Sequence, residues 1–130
     1  DREYHLVLIG AGNLGRALVS YANFRRRGFF IKAIFDADPE VIGGEAAGMQ
    51  IQSIDTLEDY ISKNQCDIAV MTTPKDVSQA ICDRLVKLGV KAIWNFSPIH
   101  LRVPDDVIVG HIHLTDSLLQ LSFQLSQERD

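Results

Sequence analysis

The sequence predicts an α/β fold in which helices cover both faces of a doubly wound, mostly parallel sheet. Short apolar runs alternate with helix-periodic segments along most of the 130 residues, a pattern typical of parallel strands joined by right-handed crossovers. The run at 68–71 is continuously apolar, as expected of a strand buried on both faces. A glycine-rich turn directly follows the first strand. Together these observations predict a domain of the Rossmann type.

The first predicted unit is a strand, a glycine turn and a helix. The strand is centred on 6–9, and the helix runs from 14 to about 26. Gly10, Gly12 and Gly15 between them have the GxGxxG spacing. In dinucleotide-binding domains these glycines make the turn, admit the pyrophosphate to the backbone and allow close packing of helix on strand. The cofactor-binding residues predicted here are Gly10, Ala11, Gly12, Asn13, Leu14 and Gly15.

An acidic residue stands where a dinucleotide-binding unit needs one. Asp36 directly follows the second predicted strand, 30–35, and lies about 20 residues beyond Gly15. A carboxylate at this position accepts hydrogen bonds from the adenosine ribose and repels a 2′-phosphate, which favours NAD over NADP. The alternative is that Asp36 only shapes the turn that precedes Asp38 and Pro39.

Further strands and helices alternate along the chain. Strands are predicted near 50–53 and at 68–71, 90–94 and 107–109, with helices at 56–63 and 76–88. Gly28 and Gly89 follow predicted helices and suit their C-caps. Because ligands of such sheets bind beyond the carboxyl ends of the strands, we expect the turns at those ends to converge on one crevice.

Two of these turns carry side chains suited to a nucleotide. The turn after the fourth strand can offer hydroxyl and N–H groups to the pyrophosphate or the nicotinamide ribose, although a plain strand-ending turn would look the same. The turn after the fifth strand places an amide beside an aromatic ring, which suits a flat ring with a carboxamide. Alternatively, Phe96 belongs to the core and Asn95 only forms the turn. The predicted cofactor-binding residues of the two turns are Thr72, Thr73, Pro74, Asn95, Phe96 and Ser97.

The segment 113–130 has a different pattern. Its apolar residues recur at spacings of three and four, which predicts a helix with one wide apolar face. A helix packed on its own sheet would show much the same stripe, but the width favours docking on a second subunit, in a domain-swapped arrangement. We therefore predict a Rossmann domain at 1–112 and a dimerisation helix at 113–130. The stripe consists of Leu114, Leu118, Leu121 and Leu125, and Leu119 and Phe123 lie beside it and widen the apolar face.

Composition excludes several other classes of protein. The net charge of −4 is not that of a nucleic-acid-binding domain. No signal-peptide pattern and no membrane-spanning apolar run occur, so we expect a soluble cytoplasmic protein. Cys66 and Cys82 lack metal-binding spacing, and His100, His111 and His113 lack a recognisable further ligand, so no metal is expected. No catalytic motif occurs, so we expect no enzymatic activity.

Five segments together resemble one family, the bacterial redox-sensing repressor Rex, in its C-terminal half. The resemblance spans nearly the whole chain and implies that NADH and NAD bind the glycine turn, Asp36, the 72–74 turn and the 95–98 turn. The segments are GAGNLGRAL at 10–18, FDADPEVIG at 35–43, TTP at 72–74, GVKAIWNFSP at 89–98 and LQLSF at 119–123.

The resemblance also implies partners. Members of the family are homodimers that exchange a C-terminal helix, and NADH releases them from operator DNA. They bind DNA through an N-terminal winged-helix domain, which is absent from this chain. The first core strand begins almost at residue 1, so we expect the sequence to be part of a longer protein. His113-Leu114 stands where the family usually has Asp-Leu, so any domain-coupling role of that Asp does not carry over.

Two other functions fit the same motifs. One is the cofactor domain of an NAD-dependent dehydrogenase separated from its catalytic domain. The other is a CoA-binding domain of the acyl-CoA ligase type, which shares the glycine-turn fold. The full-length protein distinguishes a repressor from a dehydrogenase, and titration with NADH and with CoA distinguishes the CoA-binding alternative.

Overall fold

The computed structural model describes residues 2–112, 121–122 and 124–127, and a seven-stranded sheet forms its centre. The strand order is β3-β4-β2-β1-β5-β6-β7. All neighbouring strands run parallel except β3 and β4. The predicted doubly wound α/β fold is confirmed. The strands are β1 Tyr4–Ile9, β2 Phe29–Asp36, β3 Glu45–Ala46, β4 Met49–Ser53, β5 Ile68–Met71, β6 Ala92–Asn95 and β7 Ile108–His111.

Helices connect the strands largely as the sequence predicts. A 3-10 turn, Ile54–Thr56, leads into the helix after β4, and the longest described helix follows β5. Gly28 and Gly89 both have a φ of 90°, the left-handed conformation expected where a helix ends. The helices are α1 Asn13–Val19, α2 Ala22–Arg26, α3 Leu57–Lys63 and α4 Lys75–Lys87.

The prediction of one helix over 14–26 is wrong, because the structure divides this segment into α1 and α2. Tyr21 has an extended backbone, with φ −79° and ψ 100°, and its N–H donates to the carbonyl of Leu18 at 3.1 Å. The break directs α2 so that Phe24 meets Trp94, with ring centroids 5.7 Å apart. Residues 20 and 21 include no glycine or proline, so the local sequence contains no helix-breaking residue at this point.

The short strand β3 is also absent from the sequence prediction, which treats the glycine-rich stretch before β4 as irregular. Glu45 pairs with Gln50 and Ala46 with Met49, in antiparallel register. The connecting turn uses positive φ angles at Ala47 and Gly48, of 51° and 79°. A strand of two residues has no periodicity from which it can be recognised.

Alternate residues of the central strands separate two apolar cores. In β1, Val7 and Ile9 face the side of α3 and α4, whereas Leu6 and Leu8 face the other side. This alternation follows from the two-residue repeat of a strand. The sheet is thus buried on both faces, which explains why its central strands read as continuous apolar runs.

Only part of the predicted dimerisation helix is described. Residues 121–122 and 124–127 are helical and exposed, and Leu121 and Leu125 expose 57% and 56% of their surface. Leu114, Leu118 and Phe123 lie outside the described residues. In the part of the chain that is described, no helix combines the length and apolar composition needed to cross a membrane.

Candidate functional site

A cleft of about 320 Å³ opens at the carboxyl ends of the central strands. β1 lies between β2 and β5 at its base, and the strand order reverses at this point. Ligands of doubly wound sheets bind at such a switch point. The cleft wall includes six of the predicted residues, namely Gly10, Gly12, Asp36, Thr72, Thr73 and Pro74.

The first glycine of the turn is required by its backbone and by its neighbour. Gly10 has a φ of +107°, and a Cβ there would lie 2.5 Å from the carbonyl oxygen of Thr72. The Thr72 hydroxyl donates to the carbonyl of Gly10 at 2.8 Å, and the Thr72 N–H donates to that of Ile9 at 2.9 Å. Thr72 therefore links the turn after β5 to the glycine turn. Its hydroxyl and its N–H both donate to backbone carbonyls of the protein.

Gly12 and Gly15 have opposite surroundings. A Cβ at Gly12 would meet no atom within 4 Å, whereas a Cβ at Gly15 would overlap the carbonyl oxygen of Gly10. No side chain caps the start of α1 at Gly12. The open space beside Gly12 fits a pyrophosphate approaching the backbone, and Gly15 allows helix and turn to touch. This part of the cleft therefore fits a dinucleotide.

Asp36 joins the glycine turn to the turn after β2. Its Oδ2 accepts a hydrogen bond from the N–H of Ala11 at 2.7 Å, and its Oδ1 accepts one from the N–H of Asp38 at 2.9 Å. A carboxylate offers about four acceptor positions, so this one retains capacity for ribose hydroxyls. The side chain is partly buried beside the cleft. Asp36 is therefore both a turn former and a suitable ribose acceptor.

The buried side chain of Asn95 stabilises the Asn95–Ser97 turn. The Asn95 side chain is fully buried, accepts from the N–H of Ser97 at 3.0 Å and donates to the carbonyl of Ile99 at 3.0 Å. Phe96 packs with the α1-side core, its ring centroid 4.6 Å from that of Trp94. Both side chains thus have the structural roles that the sequence left open as alternatives. A contribution of this turn to a nicotinamide pocket stays a prediction for the turn as a whole.

Sequence reasoning missed several residues around the cleft. Arg16 donates from Nε to the carbonyl of Ala11 at 3.1 Å and from Nη1 to that of Glu45 at 3.1 Å, which holds the glycine turn against β3. Buried Ser78 contacts the turn after β5. Ser78 belongs to no motif, whereas Arg16 lies in the segment GAGNLGRAL but beyond Gly15, where the predicted binding turn ends. The helix period of α4 is the only sequence signal that places the apolar residues of the wall, Val77 and Ile81, on one side.

The cysteines and histidines form no second reactive centre that the structure describes. Burial raises the pKa of the Cys66 and Cys82 thiols to about 11 each, so both stay protonated at neutral pH. The rings of His100 and His111 stack with centroids 4.9 Å apart. No cluster of three or more metal-ligating side chains occurs within the described ranges, and His113 lies outside them.

Comparison with known proteins identifies the family. Residues 1–99 match the family model described as the CoA binding domain. The chain belongs to this CoA-binding domain family. It is 48% identical over 128 residues to the redox-sensing transcriptional repressor Rex of Thermoanaerobacter sp. (strain X514), covering 98% of this chain and 57% of that relative. It is 49% identical to the Rex of Clostridioides difficile (strain 630), covering 98% of this chain and 60% of that relative.

Solved structures support the same relationship to Rex repressors. The crystal structure of RSP, a Rex-family repressor, has a TM-score of 0.92 and 46% identity, covering 99% of this chain and 62% of that one. RSP has also been solved with β-NADH, and with β-NAD⁺ and operator DNA. The resemblance to the redox-sensing repressor Rex is confirmed. The chain spans less than two thirds of the length of these relatives.

Proposed function

We propose that this chain is the NADH- and NAD-sensing and dimerisation domain of a redox-responsive transcriptional repressor, which releases operator DNA when NADH binds. One observation carries the proposal: a chain 46% identical over 99% of this one has been solved with β-NADH, and with β-NAD⁺ and operator DNA. We propose a winged-helix DNA-binding domain upstream of residue 1 and a cytoplasmic location. The domain senses the nucleotide and performs no turnover.

The cleft suggests how the nucleotide lies. The turn from Gly10 to Gly15 receives the pyrophosphate, because Gly12 leaves open space beside the backbone. Asp36 accepts from the adenosine ribose hydroxyls. The turns at 72–74 and 95–97 surround the nicotinamide half. The wall of the cleft itself is largely apolar, with Ile54, Val77 and Ile81 contributing.

Apolar surroundings of the nicotinamide ring would favour the reduced nucleotide. The nicotinamide ring is neutral in NADH and positively charged in NAD⁺, so its burial costs more in the oxidised form. The thiols are poorly suited to serve as the redox input, because burial raises the pKa of Cys66 and Cys82 to about 11. The ratio of the two nucleotides is therefore the signal that this domain is built to read.

Two apolar surfaces support a homodimer that exchanges its C-terminal helix. Leu121 and Leu125 are exposed, so this part of the helix is not buried against its own sheet. An apolar cavity of about 280 Å³ opens on the α1 side of the sheet. We propose that the segment 113–130 of each subunit covers this region of its partner. The apolar residues around the cavity are Leu6, Phe24, Phe29, Ile68 and Trp94.

Coenzyme A is the second candidate ligand, because the matching family is described as the CoA binding domain. Its pyrophosphate suits the same glycine turn. Its adenosine ribose, however, carries a phosphate that the Asp36 carboxylate would repel, as it would repel the 2′-phosphate of NADPH. Asp36 therefore favours a nucleotide with free ribose hydroxyls.

Calorimetric titration with NADH, NAD⁺, NADPH and CoA tests the proposal. We expect NADH to bind tightest, about 100-fold more tightly than NAD⁺, a difference of about 2.7 kcal/mol, and NADPH and CoA to bind weakly. Tighter binding of CoA than of NADH would transfer the assignment to the second candidate. Equal affinities for NADH and NAD⁺ would contradict the sensor. Steady NADH oxidation with a simple carbonyl substrate would instead identify a dehydrogenase domain.

A further inference from the structure

Ser78 in α4 links two of the turns that border the proposed nucleotide site. Its side chain is fully buried. Its Oγ lies 2.6 Å from Oγ1 of Thr73, 2.6 Å from Oγ of Ser97 and 2.8 Å from the carbonyl oxygen of Pro74. Thr73 belongs to the cleft wall, and Ser97 belongs to the turn after β6. Three hydroxyl groups thus form one buried chain, which we call the Ser78 relay.

The number of protons determines the direction of every hydrogen bond in the Ser78 relay. Its three short contacts need one proton each, and its three hydroxyls supply one proton each. The carbonyl of Pro74 can only accept, so the proton of Ser78 must point to it. The contacts at Ser78 Oγ then require that Thr73 and Ser97 both donate to Ser78. This is the one assignment that provides a proton for all three contacts.

The assignment limits what Thr73 can offer to a ligand. Because its proton points to Ser78, the Thr73 hydroxyl can only accept any further hydrogen bond. Ionised phosphate oxygens are acceptors too and gain nothing from it, whereas ribose hydroxyls and a carboxamide NH₂ are donors. The Ser78 relay therefore suits the nicotinamide half of a dinucleotide and not its pyrophosphate.

We propose that Ser78 is a positioning residue of the nucleotide site, which holds Thr73 as an acceptor for a hydroxyl or amide donor on the nicotinamide half. This inference rests on the proposed function. A second serine illustrates the difference from an ordinary helical serine. Ser62 in α3 donates only to the carbonyl of Asp59, at 2.7 Å, and is exposed. Ser78 makes the same kind of backbone contact but also receives two buried hydroxyls.

Titration of this 130-residue chain with NADH and with ADP, which lacks the nicotinamide half, tests the inference. In Ser78→Ala, Thr73 loses its acceptor and its proton can turn towards the ligand. We expect NADH affinity to fall about fivefold to tenfold, as for loss of one hydrogen bond, while ADP affinity stays within about twofold. Ser62→Ala is the matched control and should change neither affinity. Melting curves of each variant report any loss of fold.

Variants of Thr73 make the test independent of the stability of Ser78→Ala. Thr73→Val removes the hydroxyl and should reproduce the selective loss of NADH affinity, whereas Thr73→Ser keeps the hydroxyl and should bind NADH normally. Combining Thr73→Val with Ser78→Ala should cost no more than either change alone, because both act through one hydroxyl. Equal losses for NADH and ADP, unchanged NADH affinity or additive effects would each overturn the inference. Failure of the unmodified chain to bind either nucleotide would overturn the proposed function as well.

Discussion

Single residues of the glycine turn have either a role in the fold or a proposed role in ligand binding, and Gly12 and Gly15 separate the two. A Cβ meets nothing at Gly12 but overlaps a backbone oxygen at Gly15. We expect Gly12→Val to keep the melting temperature within a few degrees and to abolish NADH binding, because the side chain fills the space of the pyrophosphate. Gly15→Ala should destabilise the domain by about 1–3 kcal/mol or more through overpacking.

Thermal melting and NADH titration of both glycine variants check this prediction. Gly43→Ala would be a poor control, because Gly43 has a φ of 90° and a side chain there is strained whatever the space. Ala17→Val, at an exposed position of α1, the helix that begins directly after Gly12, is the better match for Gly12→Val. NADH binding retained by Gly12→Val would refute the assignment of the pyrophosphate to this turn.

Asp36 stabilises the fold and is proposed to bind the ligand, which makes its replacement informative. Its carboxylate holds the N–H groups of Ala11 and Asp38 and is proposed to receive the ribose. Asp36→Ala should weaken NADH binding by about 1–3 kcal/mol, the range for a hydrogen bond to a charged group. Because the repelling charge is lost, NADPH should lose less affinity than NADH. Titration of the unmodified chain and of Asp36→Ala with NADH and with NADPH measures the two losses of affinity. Equal losses would contradict a contact between Asp36 and the ribose.

At the scale of elements, an ion pair between α3 and α4 supports one wall of the cleft. Arg84 donates to both carboxylate oxygens of Glu58, at 2.7 and 2.6 Å, and to the carbonyl of Ile54 at 2.7 Å. Ile54 belongs to the cleft wall. The pair therefore connects α3, α4 and the 3-10 turn at the position where the nucleotide is proposed to lie.

The pH dependence of stability reports on this pair. The hydrogen bond from Arg84 lowers the pKa of Glu58 in the folded state below the ordinary 4.5. The stabilisation is therefore complete above pH 4.5 and is lost as the pH falls through the lowered value. We expect Glu58→Gln to cost about 1 kcal/mol or less at pH 7, since the carboxylate is partly screened by solvent. The cost should shrink on acidification.

Denaturant unfolding at pH 7 and pH 3 measures the effect of Glu58→Gln. Asp59→Asn is the matched control, because Asp59 pairs with Lys63 at 3.1 Å within the same helix, where both side chains are about 70% exposed. That change should have little effect at either pH. A cost of Glu58→Gln that is equal at both pH values would show that the charge of Glu58 contributes nothing.

At the scale of the whole molecule, the C-terminal helix is the element whose removal should change the assembly. Ending the chain after Ile112 should convert the proposed dimer to a monomer, because it removes the helix that is proposed to cover the partner's apolar cavity. Trp94 borders that cavity and is the single tryptophan of the sequence. Its fluorescence should therefore shift to longer wavelength when the cover is lost. Light scattering and emission spectra measure the two changes.

Substitutions within the helix provide the control for this truncation. Leu121→Asn together with Leu125→Asn should reproduce both changes, whereas Gln124→Asn, an exposed polar position between them, should reproduce neither. A monomeric intact chain at micromolar concentration would refute the proposed dimer. An unchanged Trp94 spectrum after truncation would place the helix elsewhere.

The sequence by itself determined the fold class, the succession of most strands and helices along the chain, and the place of the cleft. These features follow from local patterns: continuous apolar runs, the GxGxxG spacing, and Asp36 at the end of a strand. The elements β1, β2, β5 and α4 agree with their predicted positions to within a few residues. Local patterns suffice here because each element buries an apolar face whose period is visible in the chain itself.

Only the tertiary structure decided which polar side chains face inward. Asn95 and Ser78 look like ordinary turn and helix residues in the sequence, yet both are fully buried and hold neighbouring turns. Phe24 of α2 likewise contacts Trp94, far away in the chain. Such roles arise from contacts between distant segments, and no local periodicity records them. Whether a hydroxyl serves a ligand or the fold is therefore determined by its partners in space.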